Sequence, residues 1–283
     1  MKNITQAIDN LPSLKLTVES KGLMAKRSLG QNFLLDRNIT DKIIRTSMEI
    51  QGLENYEGAN LFEIGPGPGG LTRSVLRKNP KKMTVIEMDE RCIKIMEEIK
   101  EVTGDVLEII EGDALKEDIH DKDESPRHIV SNLPYNISVP LLIKWLKKAD
   151  NFESMTLMFQ KEVADRISAE PGCKAYGRIS ILAQIICNID RVMDLNPEAF
   201  VPAPKIWSSV LLFQPKKINL DPVIFANLEK ITAATFGMRR KMIRQSLKSI
   251  GNVQELCEKA NIEPTLRAEQ LTIEDYLNLA HLI

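Results

Sequence analysis

A glycine-rich turn between a predicted strand and a predicted helix is the feature that most constrains how this chain folds. Residues 60–64 form an apolar strand pattern, residues 65–70 read Gly-Pro-Gly-Pro-Gly-Gly, and residues 71–76 carry a helical pattern. Glycines at such a turn let a ligand approach the backbone, where a side chain would block it. A second strand, residues 83–86, ends at Glu87, and an acidic residue about 20 positions after the glycines is placed to bind ribose hydroxyls. This unit predicts a parallel α/β sheet that binds a nucleotide.

The identity of the nucleotide depends on the residues around that turn. Gly65, Gly67 and Gly70 satisfy the pattern G-x-G-x-x-G, which fits a nicotinamide cofactor equally well. Two prolines within the turn, and Glu63 before it, favour S-adenosylmethionine, because the Glu63 carboxylate could face the cationic amino-acid portion of that cofactor. A third predicted strand leads to Asp113, which could accept a hydrogen bond from the adenine amino group. A helix N-cap or an Asx turn is the alternative role for Asp113.

The run Asn132-Leu133-Pro134-Tyr135 follows a fourth predicted strand, residues 127–130. Asn132 and the Leu133 carbonyl can both accept hydrogen bonds from an exocyclic amine, and Pro134 turns the chain while leaving that carbonyl free. Tyr135 can stack on an unstacked base, and ligands of open α/β sheets bind at this end of the strands. The run predicts a catalytic site for adenine N6, although an ordinary Asn-x-Pro turn would explain the four residues taken alone.

With further motifs, these residues resemble the KsgA family of ribosomal RNA adenine dimethyltransferases over roughly residues 24–280. The additional motifs are residues 26–34 (KRSLGQNFL), 160–163 (QKEV), 175–178 (AYGR), 200–205 (FVPAPK) and 239–244 (RRKMIR). The resemblance implies an α/β fold, with a class I, Rossmann-like methyltransferase sheet and a small C-terminal all-helical domain. It also implies transfer of methyl groups from S-adenosylmethionine to two adjacent adenosines near the 3′ end of 16S ribosomal RNA, giving N6,N6-dimethyladenosine during ribosome biogenesis.

The resemblance also implies roles for single residues. Asn32 and Leu34 are expected to border the cofactor, and Phe200 is expected to hold the target base opposite Tyr135, with core packing as its alternative role. The predicted cofactor-binding residues are Asn32, Leu34, Glu63, Gly65, Gly67, Glu87, Asp113 and Asn132. The predicted catalytic residues are Asn132, Leu133, Pro134, Tyr135 and Phe200, and no metal ligand is expected.

Basic residues are concentrated near the C-terminus, although the formal net charge of the chain is only −1. The predicted RNA-binding residues of this run are Arg239, Arg240, Lys241, Arg244 and Lys248. Arg240, Arg244 and Lys248 are spaced i, i+4, i+8, so on a helix over residues 241–250 and its approach they would form one stripe suited to phosphates. A solvated helix face is the alternative interpretation. Lys26 and Arg27 form a second, smaller predicted RNA-binding site.

The pattern of elements predicts three parts. Residues 1–23 are expected to be an extension without a strong pattern, residues 24–214 the S-adenosylmethionine-dependent methyltransferase domain, and residues 215–283 a helical RNA-binding domain. The predicted helices of the last part span residues 223–236, 241–250, 253–260 and 273–283.

The composition is that of an ordinary globular protein, with 43% hydrophobic and 27% charged residues, and it predicts a cytoplasmic protein without a membrane span. The four cysteines are scattered, without a C-x-x-C pair, and are expected to be reduced thiols. The expected partner is small-subunit ribosomal RNA, within a pre-assembled small subunit, and the chain is expected to be monomeric.

Two other functions fit parts of the pattern. The chain could act chiefly as a ribosome assembly factor for which RNA binding matters more than catalysis, or it could methylate adenine in DNA. The cofactor motifs are also shared with relatives that methylate large-subunit RNA and with mitochondrial transcription-factor paralogues, so they do not fix the substrate on their own.

Overall fold

A computed structural model describes residues 4–25, 30–119, 124–218 and 220–283 of the chain. The chain divides into two compact units. The first contains residues 1–141, 151–161 and 190–214, and the second contains residues 142–150, 162–189 and 215–283. Among the described residues, no helix has the length and apolarity that crossing a membrane requires.

The strands form one seven-stranded sheet and a separate two-stranded ribbon. Their bounds are β1 Phe33–Leu34, β2 Asn60–Ile64, β3 Lys82–Glu87, β4 Leu107–Glu111, β5 Arg127–Asn132, β6 Ser154–Gln160, β7 Cys187–Leu195, β8 Phe200–Val201 and β9 Ser208–Pro215. The order in the large sheet is β4-β3-β2-β5-β6-β9-β7, with parallel pairing from β4 to β6 and antiparallel pairing of β6 with β9. The predicted α/β fold with a parallel sheet is therefore confirmed.

Helices connect these strands and also form most of the second unit. Their bounds are α1 Ile4–Asp9, α2 Leu14–Ser20, α3 Arg37–Gln51, α4 Gly70–Leu76, α5 Glu90–Thr103, α6 Ser138–Leu146, α7 Lys161–Ile167, α8 Arg178–Ile186, α9 Pro222–Gly237, α10 Ile243–Ser246, α11 Val253–Ala260 and α12 Ile273–His281. The residues that cap several of these helices are of the types expected at helix ends. Asp36 caps α3, whose C-terminal Gly52 adopts the left-handed conformation, and Asp89 caps α5.

The central strands of the sheet are buried on both faces, which explains their uninterrupted apolar patterns. Every residue of β2 is buried, and only the first residue of β3 is partly exposed. Because β2 to β5 run parallel, their carboxyl ends meet at one edge of the sheet. That edge gathers the glycine turn after β2, Glu87 at the end of β3, Asp113 beyond β4 and Asn132 at the end of β5.

The N-terminal region has more structure than the sequence pattern suggested. Residues 1–23 were expected to lack a strong pattern, but α1 and α2 lie within them. Ile8 is buried in the main hydrophobic core, and the Ser13 hydroxyl accepts a hydrogen bond from the Leu16 N–H to cap α2. Helices of six and seven residues are too short to be stable alone, so their stability comes from packing, which the pattern of a short segment does not reveal.

In the second unit, the expected continuous helix over residues 241–250 is wrong. Only α10 and a following 3-10 turn, Leu247–Ser249, are helical. Met242 is extended where it pairs with Arg267 in an antiparallel bridge, and the Ile243 N–H donates to the Leu266 carbonyl, so the α-helix begins only at Ile243. The other three predicted C-terminal helices correspond to α9, α11 and α12.

The compact units break the chain between Gln214 and Pro215, and they also group residues 142–150 and 162–189 with the C-terminal helices. Contacts of α8 with α9 and α12 are the physical reason for that grouping. The division of the chain into functional domains at residues 1–23, 24–214 and 215–283 stays a prediction.

Candidate active site

A cavity opens at the carboxyl ends of the parallel strands, within the first unit. Eleven of the predicted site residues line it: Asn32, Leu34, Glu63, Gly65, Gly67, Glu87, Asp113, Asn132, Leu133, Pro134 and Tyr135. They come from β1 and the residue before it, β2, the glycine turn, the ends of β3 and β5, and the segments that follow β4 and β5. The fold therefore brings together residues from widely separated parts of the chain.

The glycines of the turn are required by contacts within the protein as well as by the approach of a ligand. Gly65 and Gly67 have φ angles of 63° and 55°, which residues with a side chain rarely adopt. A Cβ on Gly67 would meet the Phe33 ring at 3.1 Å, and a Cβ on Gly70 would meet the Leu34 carbonyl oxygen at 2.5 Å. The absence of side chains thus allows β1 to close against the turn, a reason that the turn sequence alone did not reveal.

Glu87 is a buried carboxylate held by backbone groups. It is 6% exposed, and its Oε1 accepts hydrogen bonds from the N–H groups of Met88 and Asp89 at 2.8 and 2.9 Å. Its Oε2 accepts a longer bond of 3.3 Å from the Gly67 N–H. Burial raises the pKa of Glu87, and these three bonds oppose that rise. A carboxylate has about four acceptor positions, so Glu87 keeps capacity for a ligand hydroxyl while its orientation is fixed.

Glu63 lines the same cavity in a different environment. It is 2% exposed, and its Oε2 accepts one hydrogen bond, from the Thr72 hydroxyl at 2.6 Å. Burial raises the pKa of Glu63 to about 8, and the nearby charge of Glu87 adds to the rise. A cation beside Glu63 would favour its charged form, so the site is suited to an ammonium group.

Asp113 makes one of the turns that the sequence allowed, and its role towards adenine stays a prediction. Its Oδ1 accepts a hydrogen bond from the Leu115 N–H at 3.0 Å, which makes an Asx turn. The residue also lines the cavity. Since a turn occupies one oxygen, the second oxygen is available to an amino group.

Asn132 is oriented by a backbone carbonyl from a segment one hundred residues away. Its Nδ2 donates to the Asn32 carbonyl at 3.1 Å, so the amide oxygen is left as an acceptor. The Leu133 carbonyl follows directly, and no described residue donates a hydrogen bond to it, whereas the Pro134 carbonyl accepts from the Ile137 N–H. Two unengaged acceptors therefore lie in succession along the cavity wall.

Tyr135 lines the cavity and is fixed by a residue that sequence reasoning missed. Its hydroxyl lies 2.7 Å from the Oγ of Ser208, which is fully buried at the start of β9. Burial raises the pKa of Tyr135, so the phenol stays neutral at physiological pH. No local signal marks Ser208, because it lies 73 residues from Tyr135 in the sequence.

The family model for ribosomal RNA adenine dimethylase matches residues 22–283. A ribosomal RNA small subunit methyltransferase A from Rhodospirillum rubrum is 46% identical over 275 residues, covering 97% of this chain and 93% of that protein. The protein of the same name from Caulobacter vibrioides is 48% identical over 257 residues, covering 91% and 96%. The chain belongs to the ribosomal RNA adenine dimethylase family. The resemblance inferred from the motifs is confirmed.

Solved structures agree with this assignment. A dimethyladenosine transferase from Plasmodium falciparum has a TM-score of 0.73 and 26% identity, covering 86% of this chain and 94% of that one. A 23S rRNA methyltransferase, ErmE, has a TM-score of 0.64 and 20% identity, covering 88% and 98%, and shows the likeness of the fold alone. The predicted class I methyltransferase fold is thereby confirmed.

One predicted catalytic residue of this family member lies apart from the cavity. Phe200 is buried in the hydrophobic core and does not line the cavity wall. It lies in β8, opposite Leu34 of β1. The structure thus favours the core-packing role for Phe200, in which it supports the strand that closes against the glycine turn.

The predicted RNA-binding residues differ in their surroundings. Lys26 and Arg27 lie outside the described residues. Arg239 pairs with Glu269 at 2.7 Å and also donates to the Lys174 carbonyl. The other four, Arg240, Lys241, Arg244 and Lys248, are exposed. Arg240 and Lys241 precede α10, so the three-residue stripe does not lie on a single helix, but Arg244 and Lys248 line one groove of the second unit.

Proposed function

We propose that this chain transfers methyl groups from S-adenosylmethionine to N6 of two adjacent adenosines near the 3′ end of small-subunit 16S ribosomal RNA, giving N6,N6-dimethyladenosine. Membership of the ribosomal RNA adenine dimethylase family supports the reaction. The observation that carries the proposal is the pair of unengaged acceptors, the Asn132 amide oxygen and the Leu133 carbonyl, on the wall of a cavity with nucleotide-binding acids.

The residues of the cavity fit S-adenosylmethionine. Glu87 has spare acceptor capacity for the ribose hydroxyls, and the second oxygen of Asp113 can accept from the adenine amino group. Glu63 offers a buried carboxyl group to the ammonium of the amino-acid portion. The glycine turn also lines the cavity. When bound, S-adenosylmethionine supplies an electrophilic methyl group on a sulfonium centre.

The two acceptors address the weakness of adenine N6 as a nucleophile. The lone pair of that amine is delocalised into the ring. Hydrogen bonds from both N6 hydrogens to Asn132 and Leu133 favour a pyramidal nitrogen and stabilise the positive charge that builds on it. Because their positions are fixed, the two acceptors would orient the amine before the reaction, and such positioning supplies much of the acceleration.

The remaining groups hold the base and leave the proton to solvent. An adenine inside a duplex must leave its stack to enter such a pocket, and Tyr135 offers it an aromatic face. His128 precedes Asn132 by four residues in the sequence. It is buried and hydrogen-bonded to Ser154, and burial lowers its pKa to about 4. We therefore assign no general base, and the N6 proton leaves to water after methyl transfer.

The setting of the reaction belongs to the same proposal. We assign the substrate to a pre-assembled small ribosomal subunit in the cytoplasm, and we assign the protein a monomeric form. The exposed cations at Arg240, Lys241, Arg244 and Lys248 would bind phosphates of the RNA.

The test is methylation of unmodified small ribosomal subunits with radiolabelled S-adenosylmethionine, followed by digestion of the RNA and identification of the labelled nucleoside. Dimethyladenosine at two adjacent positions near the 3′ end is expected. Naked 16S RNA and its DNA counterpart serve as comparison substrates, because labelled DNA would support the DNA-methylation alternative. Absence of label despite tight subunit binding would contradict the proposal and support a role as an assembly factor.

The assembly-factor alternative is not favoured by the site. Every predicted cofactor residue lines the cavity, and the two acceptors for N6 are unengaged. A chain that had kept only RNA binding would have no need of this arrangement. A dual role is compatible with the site. It would appear as a catalytically inactive variant that still binds the small subunit.

A further inference from the structure

Arg73, on α4, is a buried cation without a carboxylate partner. Its residue surface is 6% exposed, and none of the described residues forms an ion pair with it. Its Nη1 donates to the Pro12 carbonyl at 2.6 Å, and its buried Nε has no hydrogen-bond partner. Arginine is almost never this buried unless it is paired, because removing an uncompensated charge from water costs several kcal/mol.

Arg77, one helical turn later, is paired with carboxylates, as a partly buried arginine usually is. It lies 2.8 Å from Asp9 and 3.4 Å from Asp41, and Asp9 is shared with Arg37 at 3.0 Å. These carboxylates compensate Arg77 and Arg37. Burial and the nearby charge of Arg77 lower the pKa of Arg73, and the charge of Glu98, which pairs with Lys21, opposes them.

A cavity of about 230 Å³ lies beside this guanidinium. Its wall is formed by the N-terminal segment, α3 and α4, all in the first unit. Arg73 and Pro12, whose carbonyl accepts the guanidinium hydrogen bond, both line it. Ser13 and Thr40 also line the wall. A water molecule occupies about 30 Å³ of liquid, so the space is large enough for a compact polyatomic ion.

We propose that this cavity is a binding site for a single oxyanion of the phosphate class, whose charge completes the ion pair that Arg73 lacks. A guanidinium presents its N–H donors in a planar fork that matches the oxygens of such an ion. Asp9 and Asp41 do not oppose the binding strongly, because Arg37 and Arg77 already compensate them. The N-terminal segment would then serve as one wall of an anion site.

The site is distinct from the cofactor cavity, although Gly70 lines both. The two cavities share no other lining residue, and Glu63, Glu87 and Asp113 line only the first. Failure of this proposal would leave the methyltransferase assignment untouched, because it rests on other residues.

The experiment is titration of the full-length protein with inorganic phosphate at constant ionic strength, followed by isothermal calorimetry and by thermal unfolding. Wild type is expected to bind one phosphate saturably and to unfold at a higher temperature as phosphate is added. Arg73→Met should weaken the phosphate Kd at least tenfold. Arg45→Met, which removes an exposed arginine of α3 paired with Glu49, should bind phosphate as wild type does.

A second measurement keeps the proposal falsifiable if Arg73→Met does not fold. Wild-type crystals grown with selenate should show an anomalous scattering peak beside Arg73. Absence of saturable phosphate binding, equal binding by Arg73→Met, or selenate bound only elsewhere would overturn the site. Dimethyl phosphate, a diester like the RNA backbone, separates the two sources of the ligand: tighter binding of inorganic phosphate supports a free ion, and tighter binding of the diester supports a nucleic-acid phosphate.

Discussion

The cofactor cavity and the basic segment over residues 239–248 both use charged and polar side chains, but they hold them in opposite ways. In the cavity, Glu87 accepts three backbone hydrogen bonds and Asn132 is tied to the Asn32 carbonyl. In the basic segment Arg239 is tied, while Arg240 and Arg244 are exposed. Fixed groups suit a reaction that depends on position, and free cations suit phosphates, whose attraction depends little on exact geometry.

The strongest way to break this comparison is to remove a fixed acceptor. Asn132→Ala should lower kcat by about 100- to 1000-fold, the usual cost of losing one group that stabilises transition-state charge. The Kd for S-adenosylmethionine should change little, because Glu87, Glu63 and Asp113 are intact. Single-turnover methylation and calorimetry measure the two effects. Unchanged turnover, with the exposed neighbour Asn136→Ala as the matched control, would remove Asn132 from the mechanism.

Glu87 is the fixed group that should separate cofactor binding from RNA binding. Glu87→Ala removes a hydrogen bond from the ligand to a charged acceptor, which contributes about 1.5–3 kcal/mol, so the cofactor Kd should rise about 10- to 150-fold. Binding to the small subunit should persist, because the exposed cations are unchanged. Glu97→Ala, at an exposed position of α5, controls for loss of charge. A cofactor Kd equal to that of wild type would show that the carboxylate does not bind ribose.

Variants of Tyr135 test whether the hydrogen bond that fixes its ring matters as much as the stacking of that ring on the base. Tyr135→Ala should lose about 1–3 kcal/mol of base stacking. Tyr135→Phe and Ser208→Ala should each lose about 0.5–1.5 kcal/mol, because both remove the bond between the hydroxyl and the buried serine. The double variant Tyr135→Phe/Ser208→Ala should cost no more than either single variant, as measured by kcat/KM for the RNA. Additive losses would mean that the two hydroxyls act separately.

The free cations should respond through salt dependence instead of geometry. Arg240→Glu combined with Arg244→Glu should weaken RNA binding and flatten the plot of log Kd against log salt by about 0.7–0.9 for each phosphate that the protein no longer neutralises. Lys259→Glu reverses an exposed cation of α11 and should leave the slope unchanged. Equal slopes for wild type, the double variant and Lys259→Glu would mean that Arg240 and Arg244 belong to an ordinary solvated surface and do not bind phosphates.

The same contrast explains which features the sequence could predict. The glycine turn, Glu87, Asp113 and Asn132 each lie at the end of a strand or just beyond it, so local patterns and the rule that parallel strands end together were enough to place them at one edge. Ser208 and Asn32 could not be predicted as supports, because they meet Tyr135 and Asn132 only through the tertiary fold. Local sequence patterns therefore predict the residues that line the site, whereas the residues that hold them in place are determined by tertiary packing.

Two local predictions failed for a related reason. A helix over residues 241–250 satisfies periodicity, but Met242 is extended where it bridges Arg267, so the helix begins only at Ile243. The helices α1 and α2 are short and have little stability alone, and burial of Ile8 together with the bond from Arg73 to Pro12 compensates for it. In both regions, long-range contacts override the local pattern.

Glu63 offers the smallest and most specific test, since it is a fixed group whose charge depends on the ligand. Its pKa is raised to about 8, so in the free protein it keeps a proton that the unfolded chain releases at lower pH. Its contribution to stability is therefore present below its ordinary pKa and is lost as the pH rises towards about 8. An ammonium beside Glu63 favours the carboxylate, so cofactor binding below that pH should release a proton and should strengthen as the pH rises. Calorimetry in buffers of different ionisation enthalpy counts that proton. Glu63→Gln should abolish its release and flatten both pH profiles relative to wild type, whereas an unaltered proton count would mean that the ammonium lies elsewhere and that Glu63 serves only to hold Thr72.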